Sequence, residues 1–202
     1  MRRATPLLLL ALLLAAPAAV ADEATRAFSR GQEAYEQADY AAALEHWERA
    51  AAMEHAEAEF RIGAMYEEGK GVAPDTARAV EWYRRAAGHG SEEAQFNLGH
   101  MYASGTGVEK DEARAAHWYA KAAERGNAYA QYTLGLMYAH GRGVERDRAT
   151  AYAWLTVAIH NFNPNMFRDN ANEVRGRLEQ EMDAAERDRA QRLLDEWAAA
   201  RD

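Results

Sequence analysis

The 202-residue sequence contains no cysteine. That absence excludes disulfides, a thiolate nucleophile and cysteine-based metal sites, so stability has to come from packing alone. There is no Gly-x-Ser-x-Gly, and the few serines stand in no nucleophile context. Beyond the N-terminal region no stretch approaches the ~20 apolar residues that span a bilayer. Positive charge is also in deficit, with 24 Lys and Arg against 32 Asp and Glu and a formal net charge of −8. A surface of that sign repels nucleic-acid phosphates and anionic lipid heads, which excludes nucleic acid as a partner.

What is present begins with a leader. Met1-Arg2-Arg3 is a short basic start, Leu7 to Ala16 is apolar, and Ala19-Val20-Ala21 supplies small residues before Asp22-Glu23. This is the order of a secretory signal peptide over residues 1–21, with cleavage predicted after Ala21 and a periplasmic or secreted product. Loss of Arg2 and Arg3 takes the net charge from −8 to about −10. No cysteine follows the cleavage point, so the reading carries no lipid anchor, and no transmembrane segment remains after cleavage.

The rest is dominated by one period. Tyr66, Tyr102 and Tyr138 are 36 apart, as are Trp82, Trp118 and Trp154, and Asp75, Asp111 and Asp147. The pairs Gly69/Gly71, Gly105/Gly107 and Gly141/Gly143 keep the same step, each followed by a valine. Self-similarity of this kind signals a repeat array. Each unit predicts two helices. Ala58, Ile62, Met65 and Tyr66 form a stripe on the first. Gly63, Gly99 and Gly135 leave room for a close neighbour, and the Gly-x-Gly turn ends the helix as a C-cap. Asp75 caps the second helix, which presents Ala79, Trp82, Tyr83, Ala86 and Ala87 inward. One hairpin cannot bury both faces, so stacking makes the core.

The ends depart from the pattern. Residues 22–57 carry a related hairpin whose turn, counted from Tyr35 to Asp39, is five residues shorter than from Tyr66 to Asp75, with no Gly-x-Gly-Val. Repeats follow at 58–93, 94–129 and 130–163, the last degenerating at Asn161-Phe162-Asn163-Pro164-Asn165. Residues 164–202 predict a helical cap with Val174, Leu178, Met182, Leu193, Leu194 and Trp197 inside.

The run Ala94-Gln95-Phe96-Asn97-Leu98-Gly99, with Tyr102, Gly105-Thr106-Gly107-Val108, Asp111, Ala115, Trp118-Tyr119 and Ala122-Ala123, resembles the Sel-1-like repeat family. The shorter first hairpin is closer to an ordinary tetratricopeptide unit. The resemblance implies an all-α fold: a right-handed α-α solenoid of stacked antiparallel helical hairpins with a C-terminal capping helix. It also implies binding to another protein or peptide, and for exported bacterial members a part in envelope assembly or in restraining a membrane sensor. A cysteine-rich branch is linked to β-lactam binding, and this chain lacks those cysteines.

No catalytic, cofactor or metal constellation emerges. The Gly-x-Gly turns follow helices and lack the third glycine and the Lys-Thr of phosphate loops. His100, His117 and His140 sit at different repeat positions, without i, i+4 pairing. Phe60, Phe96 and Tyr132 share a position roughly 160° from the core residues Ile62, Leu98 and Leu134, so they either pack on the next repeat's first helix or line a groove. The same geometry nominates Ala64, Glu67, His100, Tyr129 and Leu136 as groove residues, with Glu57 nearby. Rigid aromatics beside acids suit a peptide segment carrying lysine or arginine. Two further readings stand beside this one: a cell-wall or glycan-associated binding protein or hydrolase, including β-lactam-related activity, and a partnerless spacer.

Overall fold

The computed structural model describes residues 17–200, which form ten helices and, among those residues, no strand. The leader's basic start and apolar run lie outside the described residues. Four antiparallel hairpins follow one another: α1 (Pro17–Glu36) with α2 (Tyr40–Ala51), α3 (Ala56–Glu68) with α4 (Thr76–Gly88), α5 (Glu92–Ser104) with α6 (Glu112–Glu124), and α7 (Ala128–His140) with α8 (Arg148–Asn161). Each second helix also packs on the next hairpin's first helix, and α9 (Met166–Glu181) and α10 (Ala184–Ala199) close the array. The result is an α-α solenoid with a C-terminal cap.

Local chemistry sets the helix ends. Asp39, Asp75, Asp111 and Asp147 each accept a hydrogen bond from the amide three residues on, satisfying a free donor of the first turn. The first helices are capped in the same way by His55, Ser91 and Asn127, and so begin two residues ahead of positions 58, 94 and 130. They end on Gly69, Gly105 and Gly141 at φ 72°, 80° and 70°, a left-handed conformation that glycine adopts without a Cβ penalty. The amides of Asp75, Asp111 and Asp147 then close each turn by donating to the carbonyls of Tyr66, Tyr102 and Tyr138 at 2.8, 2.8 and 3.0 Å.

In the first hairpin Asp39 donates instead to Ala34. Ala34, not Tyr35, is therefore the counterpart of Tyr66, and the turn is shorter by four residues where the tyrosine count indicated five. The aromatic that misled the count packs elsewhere, against Tyr40 and Trp47.

Two sets of glycines serve packing. A Cβ on Gly63, Gly99 or Gly135 would stand 2.7, 2.6 or 2.8 Å from the side chain of Tyr83, Tyr119 or Leu155, so each hairpin closes with a bulky side chain lying on bare backbone. The second glycine of each turn joins one repeat to the one before: Gly71 lies on Tyr40, Gly107 on Thr76 and Gly143 on Glu112, the first residues of α2, α4 and α6. The Gly-x-Gly spacing thus combines a helix stop with a stacking contact. Of the adjacent Trp-Tyr pairs expected inside, only the tyrosines are fully enclosed in repeats one and two. Trp82 and Trp118 are half-buried and lie beneath the cations of Arg85 and Lys121.

One buried polar position recurs as Glu59, Gln95 and Gln131. Gln95 and Gln131 donate to the carbonyls of Ala87 and Ala123 at 3.2 and 3.0 Å, in the last turn of the preceding second helix. Glu59 cannot donate. Arg85 reaches over instead, bonding both the Glu59 carboxylate and the Ala51 carbonyl at 3.1 and 3.3 Å, while His89 Nδ1 lies 2.7 Å from the second carboxylate oxygen.

The cap covers the last repeat in two ways. Helix α9 buries Ala171, Val174 and Leu178 against α7 and α8. Helix α10 turns back to α8, where Trp197 meets Trp154 at 4.2 Å between ring centroids. Leu193, Leu194 and Trp197, expected inside, are only half-buried because α10 lies on one helix with its other side in solvent. In the first two repeats Asp75 and Asp111 are held by Arg78 and Arg114 three residues on. Thr150 occupies that place in the third, and Arg189 of α10 supplies the guanidinium, 2.6 Å from Asp147.

Burial would raise the Asp147 carboxyl, but the hydroxyl and amide of Thr150 and the charge of Arg189 outweigh it and hold it below the ordinary carboxylate value. A depressed carboxylate contributes stability above its unfolded pKa of ~3.9 and loses it as pH falls through the folded value. Arg189→Gln is therefore expected to lower the thermal midpoint by ~1–3 °C at neutral pH, the range of a partly exposed ion pair. Below about pH 3.9 the gap to the parent should close. Circular-dichroism melts across pH 2.5–7 read this directly, and a constant gap would discount the pair.

Candidate functional site

The row of first helices α3, α5 and α7 carries all the groove candidates, and the structure separates them into groups. Phe60 is half-buried, its ring 5.6 Å from that of Tyr83. Ala64 is half-buried beside it, and Glu67 is exposed and accepts a 2.6 Å hydrogen bond from the Tyr83 hydroxyl. Burial, that bond and the charge of Glu67 all push the Tyr83 phenol upward, so it remains a donor. His100 is exposed and unattached to any cluster. Leu136 is half-buried in the core shared with α9, so the cap takes up much of its surface.

Phe96, Tyr129 and Tyr132 do come together. Phe96 lies between Tyr119 at 5.7 Å and Tyr129 at 6.3 Å. Of the two alternatives for this repeat position, packing on the next repeat's first helix applies to it, and the ring also packs within its own hairpin. Phe162 and Phe167 complete the group. Phe162 stands edge-on to Tyr129 at 5.1 Å, and Phe167 stands edge-on to Tyr129 and Tyr132 at 5.2 and 5.8 Å. Edge-to-face pairs at such distances favour a defined arrangement of rings. The Tyr132 hydroxyl donates to Asn170 at 2.7 Å, tying α7 to α9.

This cluster is open to solvent. Among the described residues four large hydrophobic side chains are exposed, and three belong here: Tyr129 at 44%, Phe167 at 37% and the adjacent Met166 at 76%. Phe162, Met166 and Phe167 fall at the α8–α9 junction, a stretch that reads from sequence as the breakdown of a repeat. Two phenylalanines and a methionine amid asparagines were the available signal.

The flank is acidic. Glu93 and Glu57 occupy the repeat position of Tyr129, one and two repeats earlier. Burial and the neighbouring Glu93 raise the Glu57 carboxyl, against the lowering effect of Arg61, whose guanidinium lies 2.9 Å from it. Among the described residues no group of His, Asp and Glu is placed to hold a metal ion, and no helix is long and apolar enough to cross a membrane.

Stacked hairpins that expose an aromatic cluster on one row of helices define the class: a helical-repeat scaffold. The Sel1 repeat model matches residues 20–55, 56–91, 92–127 and 128–161, and the chain belongs to that family. The match includes the first hairpin, which sequence reasoning placed nearer to the tetratricopeptide unit. Among solved structures, a Sel1 repeat protein from Oxalobacter formigenes is 34% identical, covering 79% of this chain and 47% of that one, with a TM-score of 0.71. A protective antigen present in uropathogenic Escherichia coli strains, displaying an SLR fold, is 28% identical over 89% of this chain and 46% of that one, with a TM-score of 0.55. The chain thus spans about half the length of these two solved relatives. No curated protein matches it. Sel1-repeat proteins are in general non-enzymatic scaffolds for protein–protein interaction.

Proposed function

We propose that this chain is a periplasmic scaffold that captures a segment of an envelope protein on the row formed by α3, α5 and α7, in envelope assembly or in the regulation of a membrane sensor. The observation that carries the reading is that Tyr129, Met166 and Phe167, three of the four large hydrophobic side chains exposed among the described residues, gather at one place. Grouped exposed apolar side chains mark interaction sites, and rigid aromatics dominate the binding energy of such sites. The Tyr129–Phe167 cluster is the anchor. Glu93 and Glu57, one and two repeats back along the same row, favour a segment that carries lysine or arginine besides an apolar anchor. The leader over residues 1–21 supports export.

Photo-crosslinking in cells from positions 129 and 167, followed by mass spectrometry of the trapped species, tests the reading. The combined variant Tyr129→Ala, Met166→Ala and Phe167→Ala is expected to keep the parent's helicity, because these side chains are exposed. Loss of even one hot-spot contact, ~2 kcal/mol, weakens capture about thirtyfold. A folded variant that captures the same species undiminished would remove the cluster from the binding site.

A further inference from the structure

We propose that the first hairpin carries a second binding site, formed by Arg30, Arg49 and His46, for a phosphate-bearing ligand. Arg26, Arg30, Arg49 and His46 line a cavity of about 320 Å³ between α1 and α2, together with Glu23 and Ala27. That volume lies near the lower end of the range of small-molecule sites.

The repeat register shows how unusual these residues are. Gly31 lies beneath Trp47 as Gly63 lies beneath Tyr83, so Arg30 stands where the other repeats bury Ile62, Leu98 and Leu134. His46 stands where they carry Trp82, Trp118 and Trp154. Among the described residues the first hairpin is the outermost unit at this end, and an outermost unit needs a polar outer face. Solubility alone calls for mixed charge. Here three arginines meet one glutamate, in a chain of net charge −8.

These cations are also poorly paired. Asp22 takes Arg26 at 2.5 Å, and Glu23 approaches Arg49 only to 3.9 Å. Arg30 has no acidic partner among the described residues. His46 Nδ1 is buried without a hydrogen-bond partner. With Nδ1 enclosed in the fold, Nε2 is the ring nitrogen left to meet a ligand. Two guanidinium forks from different helices plus an imidazole N–H match a tetrahedral oxyanion, which arginine binds through paired charge-assisted hydrogen bonds.

The test is an NMR titration of the His46 ring with inorganic phosphate against chloride at matched ionic strength. A saturable His46 shift with phosphate and none with chloride is the expected result. Arg30→Gln combined with Arg49→Gln should weaken it at least about tenfold, and Arg30→Lys, which keeps charge but not the fork, should weaken it less. Both side chains are exposed, and unchanged circular dichroism will show that the variants fold. Glycerol phosphate and vesicles of phosphatidic acid, against phosphatidylcholine vesicles, separate the sources. Binding to the soluble ester alone assigns a soluble ligand, and vesicle binding assigns a headgroup. The variant lacking the Tyr129–Phe167 cluster should titrate like the parent, which keeps this site independent of the proposed groove. Equal shifts with chloride, no saturation, or an unaffected double variant would overturn the proposal.

Discussion

Gly143→Ala is expected to destabilise the protein by ~3 kcal/mol, the sum of a left-handed backbone without glycine and an overpacked contact. Gly143 sits at φ 66°, and its missing side chain leaves room for the backbone of Glu112 and Ala113 at the start of α6. A methyl group there meets main-chain atoms, which cannot swing aside as the tip of a side chain can. The α7–α8 hairpin would have to draw away from α6, loosening the interface on which stacking depends. At this chain length the loss corresponds to a drop of roughly 6–12 °C in thermal midpoint. Gly126→Ala is the control: Gly126 also has positive φ, 107°, but open space where its Cβ would lie. It should cost only the conformational part, ~1 kcal/mol. Equal losses in the two variants, followed by circular dichroism during heating and urea titration, would sink the stacking role assigned to the second glycine.

The second large effect concerns Glu59. Glu59→Ala leaves Arg85 and His89 without their shared carboxylate and opens a hole where a fully buried side chain stood. Breaking a wholly buried ion pair costs ~3–5 kcal/mol, but Arg85 is 49% exposed and regains water, so ~2–3 kcal/mol is expected. Glu59→Gln should cost under ~1 kcal/mol, since its amide can donate to the Ala51 carbonyl as Gln95 and Gln131 donate to theirs. The contrast separates two accounts of this position. If charge were what mattered, glutamine would be as damaging as alanine; if the carbonyl needs a buried donor, glutamine is tolerated. Chemical denaturation of the two variants decides between them.

Much of the architecture was legible before any coordinates. The spacing of Tyr66, Tyr102 and Tyr138, the Gly-x-Gly turns and the caps Asp75, Asp111 and Asp147 report local backbone requirements, and local requirements repeat in sequence as they do in space. The site was less legible. Phe96, Tyr129 and Tyr132 were found by helical geometry, but Ala64, Glu67 and His100 fell outside the cluster and Leu136 went largely beneath the cap. Phe162, Met166 and Phe167 were missed, because helical periodicity carries no information through a break between two helices.

By itself the sequence determined that this chain forms paired helices, where the repeats' glycine stops and aspartate caps fall, and that neighbouring hairpins must stack, since the glycines, caps and apolar stripes encode nearest-neighbour chemistry. Only the tertiary structure decided which way α10 turns, that Arg189 stands in for the arginine missing beside Asp147, and that rings from α5, α7 and the α8–α9 junction share one exposed cluster. Those outcomes depend on contacts between residues 33–43 positions apart, whose meeting is set by how whole helices pack and not by any local spacing.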